Sequence, residues 1–438
     1  MSAANEDNII FQPQLLTTLK GYKTSDLAKD LISGLIVAII ALPLSIALAI
    51  CSGVTPQIGL YTAIVAGFVV AALGGCKVQI AGPTAAFATM IAGITARSGM
   101  NALCISTCLA GLLMMLAGAL RLGKYIRHIP KPVTVGFTGG IAITILVGQF
   151  KDFFGITYAN GEKPIEAIEK IELFAKYLPS FNPYALLLGI ISLLIIIYWP
   201  KVPKAGSIVP SSLIAVIASV LITELANSFV STGIKTIGDF HEIKAVLPSF
   251  SLPSFKGSLN WLSLVKDGFM IAVLASIESL LSAVVADEMT NDKTRPNTEL
   301  IAQGVGNVAS VLFGGIPATG AIARTAANIK NGGKTPIAGM FHAIMLLAML
   351  MFLSPLASII PMPCIAAILF SVAYNMSGWR NFIMIIFDLT VSKRERMLNI
   401  LVLFVTFILT VVKDLVISIA AGLIIYAIGK TVIARKSR

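Results

Sequence analysis

The sequence predicts an all-α polytopic membrane protein of fourteen segments in a seven-plus-seven inverted repeat, with the third and tenth segments only half-helices. Three observations predict it. The composition is short of charge, apolar runs recur at bilayer-crossing length, and one Gly- and Pro-bearing break occurs twice at matching positions.

Of 438 residues, 56% are hydrophobic and 12% charged, and the mean hydropathy is +0.88. A soluble domain carries about 25% charged residues to cover its water-facing surface, so this chain is built for lipid. The net charge of +12 does not mark a nucleic-acid binder, because Lys and Arg sit in short loops between apolar runs rather than in one patch. Five cysteines (Cys51, Cys76, Cys104, Cys108, Cys364) show no paired spacing, and His128, His241 and His342 are far apart. Neither a disulfide framework nor a zinc site is expected. Residues 1–29, polar and mixed in charge, read as a cytoplasmic tail rather than a cleaved signal peptide.

A hydrocarbon core of about 30 Å takes about 20 apolar residues per helix. Spans are expected at 30–51, 54–74, 80–97, 101–120, 131–150, 183–200 and 206–226. The second set is 264–287, 298–313, 317–330, 335–353, 361–378, 397–412 and 415–433. With both termini inside, 22 of the 33 Lys and Arg fall on the inner side, among them Lys77, Arg127, Lys204, Lys334, Lys393 and Arg438. Nine fall outside: Arg97, Lys151, Lys163, Lys170, Lys176, Lys235, Lys244, Lys256 and Lys413. That bias favours cytoplasmic termini and an even span count. The long polar stretches 151–182 and 227–260 are then external and read as solvated loops, the first with a short surface helix as the alternative.

Segments three and ten are each preceded by a Gly pair, Gly74-Gly75 and Gly314-Gly315, at an offset of 240. Each carries Pro among small residues: Ala81-Gly82-Pro83-Thr84-Ala85-Ala86 and Ile316-Pro317-Ala318-Thr319-Gly320-Ala321. Pro is best tolerated in a first helical turn, so each reads as an extended stretch followed by a half-helix starting near the Pro. Lys29-Asp30 and Lys266-Asp267 open the first and eighth spans at an offset of 237. Seven is odd, so the second copy enters from the opposite side, as in secondary transporters that bind at the midplane between discontinuous helices. Two half-helix N-termini offer backbone N–H donors and positive dipole ends, a setting for an anion. Helix packing by small residues is the plainer alternative.

Two charges stand where lipid disfavours them. Glu278, in Ser276-Ile277-Glu278-Ser279-Leu280-Leu281-Ser282, shares a helix face with Ser282 four residues on. A carboxylate and a hydroxyl suit sodium coordination, making these two the metal ligands if sodium is the coupling ion; a desolvated carboxyl suits proton carriage. A structural buried ion pair is the alternative. Arg324, two turns into the tenth segment, is placed to add positive potential beneath the anion, to pair with Glu278, or to reach toward the cytoplasm. Gly304-Val305-Gly306-Asn307-Val308-Ala309 fits a dinucleotide fingerprint only superficially and reads as helix packing. Gly333-Lys334-Thr335 resembles a phosphate-loop end, but Asn328 stands where its first Gly belongs. No nucleophile–base or metal constellation suggests an enzyme.

At these residues the chain resembles the SulP anion transporter family (sulfate permeases, solute carrier family 26 in animals). The resemblance covers 30–433 and rests on Ala41-Leu42-Pro43, Pro56-Gln57-Ile58-Gly59-Leu60-Tyr61, Gly82-Pro83-Thr84, the Glu278 motif, Asn297-Thr298-Glu299-Leu300 and Gly332-Gly333-Lys334-Thr335. It implies a fold shared with nucleobase transporters, homodimers, and elevator motion of a core (30–120 and 264–353) against a gate (131–226 and 361–433). It places the anion between Pro83, Thr84 and Ala85 and Ala318, Thr319 and Gly320, over Arg324. Glu278 and Ser282 take the coupling-ion position.

Most members of the family carry a cytoplasmic STAS domain after the last span, where this sequence has only 434–438 as a cytoplasmic end. Leu44 follows Pro43 where many animal members have Gln, and the Leu-Pro-Leu and Gly-Pro-Thr forms look closer to bacterial bicarbonate-type members. The expectation is a bacterial inner-membrane symporter of a small anion, bicarbonate ahead of sulfate and dicarboxylates, coupled to sodium or protons. It has no cofactor and no nucleic-acid partner, and it contacts membrane lipid. An uncoupled anion channel or exchanger and a nucleobase permease of the same fold are the alternatives.

Overall fold

The computed structural model describes residues 11–436 apart from 127–128, 159–161, 163, 165, 204–205, 207–208, 256–259 and 413–414. His128 and the orienting charges Arg127, Lys163, Lys204, Lys256, Lys413 and Arg438 lie outside the described residues, as do 1–10 of the tail and 437–438. The chain is mostly helical. Nine helices among the described residues are long and apolar enough to cross a membrane, and Ser211–Asn227 and Ile417–Ile433 are apolar but shorter.

Helices α1 (Thr24–Cys51) and α2 (Pro56–Leu73) lead into a two-residue strand β1 (Ala81–Gly82). Helix α3 (Ala88–Ala119) runs through the expected third and fourth segments and breaks at Gly99, where φ of 80° calls for glycine. Helices α4 (Lys131–Gly148), α5 (Ala167–Tyr177), α6 (Pro183–Tyr198) and α7 (Ser211–Asn227) follow. The second half holds α8 (Trp261–Thr290), α9 (Pro296–Leu312), strand β2 (Thr319–Gly320) and the nine-residue α10 (Ile322–Lys330). It ends with α11 (Pro336–Ser358), α12 (Met362–Met376), α13 (Trp379–Ile386), α14 (Lys393–Val412) and α15 (Leu415–Lys436).

Local chemistry sets several boundaries. Proline opens α2, α6, α9 and α11, where a missing N–H costs nothing. Asn182 accepts from the N–H groups of Tyr184 and Ala185, and Thr335 from that of Ile337. The solvated-loop reading of 151–182 is corrected at α5: Glu166 and Glu169 form a reciprocal capping box there.

Helices α1, α2, α3, α8, α9, α10 and α11 pack mainly on one another, and α4, α6, α7, α12, α14 and α15 form a second group. Where α3 crosses α9, a Cβ added to Gly304 would stand 2.5 Å from the Gly111 carbonyl oxygen, so the glycines of that fingerprint-like run serve close helix packing.

The strands lie at the middle of the first group. Ala81 pairs with Gly320 and Gly82 with Thr319, antiparallel. Both half-helices therefore begin later than the sequence reading placed them, at Ala85–Ala88 and at Ile322 rather than near Pro83 and Pro317. The physical reason is the strand pair itself. It keeps the backbone before Pro83 and after Pro317 extended, and the residue before a proline favours that region.

Each extended stretch is tied down by helix side chains. Asn307 of α9 donates to the Ala318 carbonyl and accepts from its N–H, both at 2.9 Å. Thr62 Oγ1 accepts from Ile316 N–H at 2.8 Å. On the other stretch, Glu299 accepts from the N–H groups of Gly75 (2.9 Å) and Cys76 (3.1 Å) and from Gln79 Nε2 (2.6 Å). Asn328 Nδ2 donates to the Val78 carbonyl at 2.8 Å. Non-helical backbone at this depth survives because protein groups satisfy it.

Replacing Asn307 with Leu strands the buried N–H and C=O of Ala318 at once. We expect a loss of about 2–4 kcal/mol of stability, read as a lower melting midpoint in detergent; an unchanged midpoint would remove Asn307 from the support of β2.

Candidate anion and coupling-ion site

The strand pair brings the two half-helix starts together beside α8. Thr84 Oγ1 donates to Glu278 Oε2 at 3.0 Å and Thr319 Oγ1 to the same oxygen at 3.2 Å, with 3.3 Å between the two hydroxyls. One residue from each break thus meets one carboxylate. Ser282, four residues on, is fully buried and points elsewhere: its hydroxyl lies 3.4 Å from Thr325 Oγ1. The oxygens gathered at Glu278 are therefore hydroxyls of Thr84 and Thr319, with the Gly320 carbonyl 3.3 Å from Thr319 Oγ1.

The donors that an anion requires are distributed unevenly. Pro83 has no N–H, Ala318 N–H goes to Asn307, and Gly320 N–H goes to Ser279 Oγ at 3.1 Å. Ala321 N–H is taken by the Ile80 carbonyl at 2.8 Å. The N–H groups of Ala85 and Ala86, and of Ile322 and Ala323, stand in first turns, where helix geometry supplies no acceptor. The helix dipoles point the same way.

Arg324 sits directly behind this surface. The residue is 1% exposed, and its Nη2 donates to the Pro83 carbonyl, while Nε and Nη1 have no partner among the described residues. It forms no ion pair with Glu278 and does not reach the surface, so neither of those expected alternatives describes it. Gly82 makes room for it: a Cβ there would stand 2.5 Å from Nη1, and φ at Gly82 is 152°. A cleft of about 360 Å³ runs along α3 and α8, its lining including Thr89, Met90, Arg97, Lys266 and Met270.

The phosphate-loop look-alike is explained by a resident carboxylate. Asp30 accepts from Lys334 N–H at 2.8 Å and Thr335 N–H at 3.2 Å, so those donors are spent inside the protein.

The profile of the sulfate permease family matches residues 27–402. The chain belongs to the sulfate permease family. Within it, YvdB of Bacillus subtilis, named as a candidate sulfate transporter, is 41% identical over 408 residues, covering 93% of this chain and 74% of that protein. The bicarbonate transporter BicA of Synechocystis is 31% identical over 410 residues, covering 91% and 69%.

The solved transmembrane domain of a cyanobacterial BicA superposes with a TM-score of 0.77 at 30% identity, over 92% of this chain and 98% of that domain. The murine solute carrier 26 family member A9 anion transporter, inward-facing, gives 0.83 at 18% identity over 99% and 72%, a likeness of fold. The sulfate permease family and these named relatives are transporters rather than enzymes.

Several residues that shape the site were not singled out from sequence. Ser279 and Thr325 lay one position from residues that were, but hydroxyls in a membrane helix carry no outward sign of which neighbour they bind. Asn307 sat inside a run read as packing. Only the strand register reveals that it clamps β2.

Gly82→Ala should push the Arg324 guanidinium off the Pro83 carbonyl and strain the backbone. The expected cost is about 1–3 kcal/mol, with anion uptake falling at least in proportion; a Gly82→Ala protein with unchanged apparent affinity for its anion would contradict the placement of Arg324.

Proposed function

We propose that this chain is a secondary active transporter of a small oxyanion, coupled to sodium or protons and working by elevator motion. The observation that carries the reading is the meeting of Thr84 and Thr319 on Glu278. A single carboxylate reports on both half-helix starts at once, which is what coupling an ion to an anion requires. A cation on Glu278 neutralises it and lets an anion approach the first-turn N–H groups of Ala85, Ala86, Ile322 and Ala323; without the cation, the carboxylate repels that anion.

The site residues proposed are Pro83, Thr84, Ala85, Ala318, Thr319, Gly320 and Arg324 for the anion and Glu278 for the coupling ion; Ser282, its hydroxyl turned to Thr325, is left out of the coupling-ion set. The Glu278 hydroxyl cluster and the four first-turn N–H groups are the atoms we expect to do most of the work. A sodium ion would be cargo, held by the Glu278 carboxylate with the Thr84 and Thr319 hydroxyls.

The finer architecture belongs to the same proposal: fourteen segments in an inverted seven-plus-seven repeat, both termini cytoplasmic, a bacterial inner membrane and a homodimer. The grouping of helices around β1–β2 supports a core that moves against the second group as a gate. Lys77–Asp292 and Lys334–Asp26 gather expected inner-side charges in one cluster, whereas Arg97, expected outside, pairs elsewhere with Asp267 at the opening of the eighth expected span. That segregation supports the proposed sidedness.

Relatives named for sulfate and for bicarbonate make those two anions the first to test. A nucleobase permease would need side-chain partners for a planar base, and the buried guanidinium favours an anion instead. An uncoupled channel or exchanger would leave Glu278 without a task.

The test is uptake of labelled bicarbonate, sulfate and fumarate into proteoliposomes under a sodium gradient, a proton gradient or neither. Saturable accumulation of one anion under one gradient is expected; equal flux under all three conditions would sink the coupled reading. Glu278→Gln should lower gradient-driven accumulation by about tenfold or more while the melting midpoint holds. A well-folded Gln variant with normal driven uptake would release Glu278 from coupling.

A further inference from the structure

The turn between α12 and α14 carries a surface that the transport site does not use. Helix α13 is eight residues long and follows Gly378, whose φ of 59° turns the chain sharply out of α12. Phe382 faces inward, its ring 5.6 Å from that of Phe404 and 5.8 Å from that of Phe407 on α14. Trp379, Ile383, Met384, Phe387 and Leu389 face outward, Leu389 with 83% of its surface exposed. The helix is amphipathic and only one of its apolar sides is covered.

Cations border that strip. Arg380, Lys393, Arg394 and Arg396 form no ion pair among the described residues. The segment has two acids. Glu395 is occupied by Lys430. Asp388 accepts from the N–H and hydroxyl of Thr390, and these bonds with nearby Arg396 hold its carboxyl below the usual range. The surface is therefore apolar at its centre and net positive at its edge.

Neither water nor hydrocarbon suits such a surface. Water would face five large apolar side chains, and hydrocarbon would face Arg380, Lys393 and Arg394 without an ion-pair partner and Arg396 beside Asp388, each costly there. The headgroup layer would satisfy both, and α13 stands at the turn between two apolar helices, α12 and α14, where the chain passes from one to the next. A zwitterionic lipid would cover the strip but leave the cations uncompensated; a net-negative headgroup pairs with them.

We propose that 378–396 is a binding site for anionic phospholipid, its phosphodiester held by Arg380, Lys393, Arg394 and Arg396 and its acyl chains lying on Ile383, Met384 and Phe387.

Trp379 reports on this directly. The chain has three tryptophans, and W199F/W261F leaves Trp379 alone. That protein, reconstituted in phosphatidylcholine vesicles, is titrated with dibrominated phosphatidylglycerol or dibrominated phosphatidylcholine, and quenching of Trp379 is read. We expect the anionic lipid to bind about fivefold more tightly than the neutral one, with the preference fading at high salt and lost in R380Q/K393Q/R394Q/R396Q.

If the four-Gln protein fails to fold, R380K/R394K/R396K keeps the charge and must keep the preference. Equal quenching by both lipids in the single-tryptophan protein would overturn the proposal. So would quenching by neither, which would bury the strip against a second copy. Displacement of the anionic lipid by inorganic phosphate at matched ionic strength would also overturn it, by making this a soluble-anion site.

Discussion

Backbone groups in the interior of a membrane domain must find partners within the protein, and here two breaks in the helical pattern find each other. The pairing of Ala81 with Gly320 and Gly82 with Thr319 is only two residues long, yet the rest of the site depends on it. It fixes where each half-helix can begin and so where unpaired N–H groups and dipole ends are presented. It also brings Thr84 and Thr319 within reach of one carboxylate. A pair this short would not hold by itself. It holds because α9 and α10 supply Asn307, Glu299 and Asn328 to the flanking backbone, and because Gly82 and Gly320 leave space for Arg324 and Gln79.

The two halves trade support across this pair. Residues of α9 and α10 hold the stretch before β1, while Thr62 of α2 holds the stretch before β2. Asp30 at the start of α1 ties down the turn into α11, and Asp267 near the start of α8 pairs with Arg97 at the break in α3. Each Lys-Asp opening thus meets the hairpin of the opposite half. Such reciprocal ties hold the two halves together as one body, since opening one half would strip partners from the other.

Much of this was legible in the sequence because membrane chemistry leaves few choices. Charge scarcity and run length give the class, and a Gly pair followed by Pro among small residues, repeated at the same offset, marks the breaks because that pattern is unusual inside a span. Glu278 and Arg324 stand out for the same reason. What the sequence does not carry is register. Pro83 and Pro317 suggest helix starts, but the strand pair delays both; Ser282 shares a face with Glu278 but turns to Thr325. The surface helix at Ala167–Tyr177 opens on the Glu166–Glu169 cap and carries only a brief apolar period at Ile168, Ile171 and Ala175, and α13 is too short to signal itself against a loop.

The claim at the centre of this account is that the anion sits between the two half-helix starts. A high-resolution cryo-electron microscopy map of the protein in lipid nanodiscs, collected with and without saturating bicarbonate or sulfate, tests it most directly. Anion-dependent density is expected within hydrogen-bond reach of the Ala85, Ala86, Ile322 and Ala323 N–H groups. Density confined to the cleft by Arg97 and Lys266, with none between the half-helices, would contradict it.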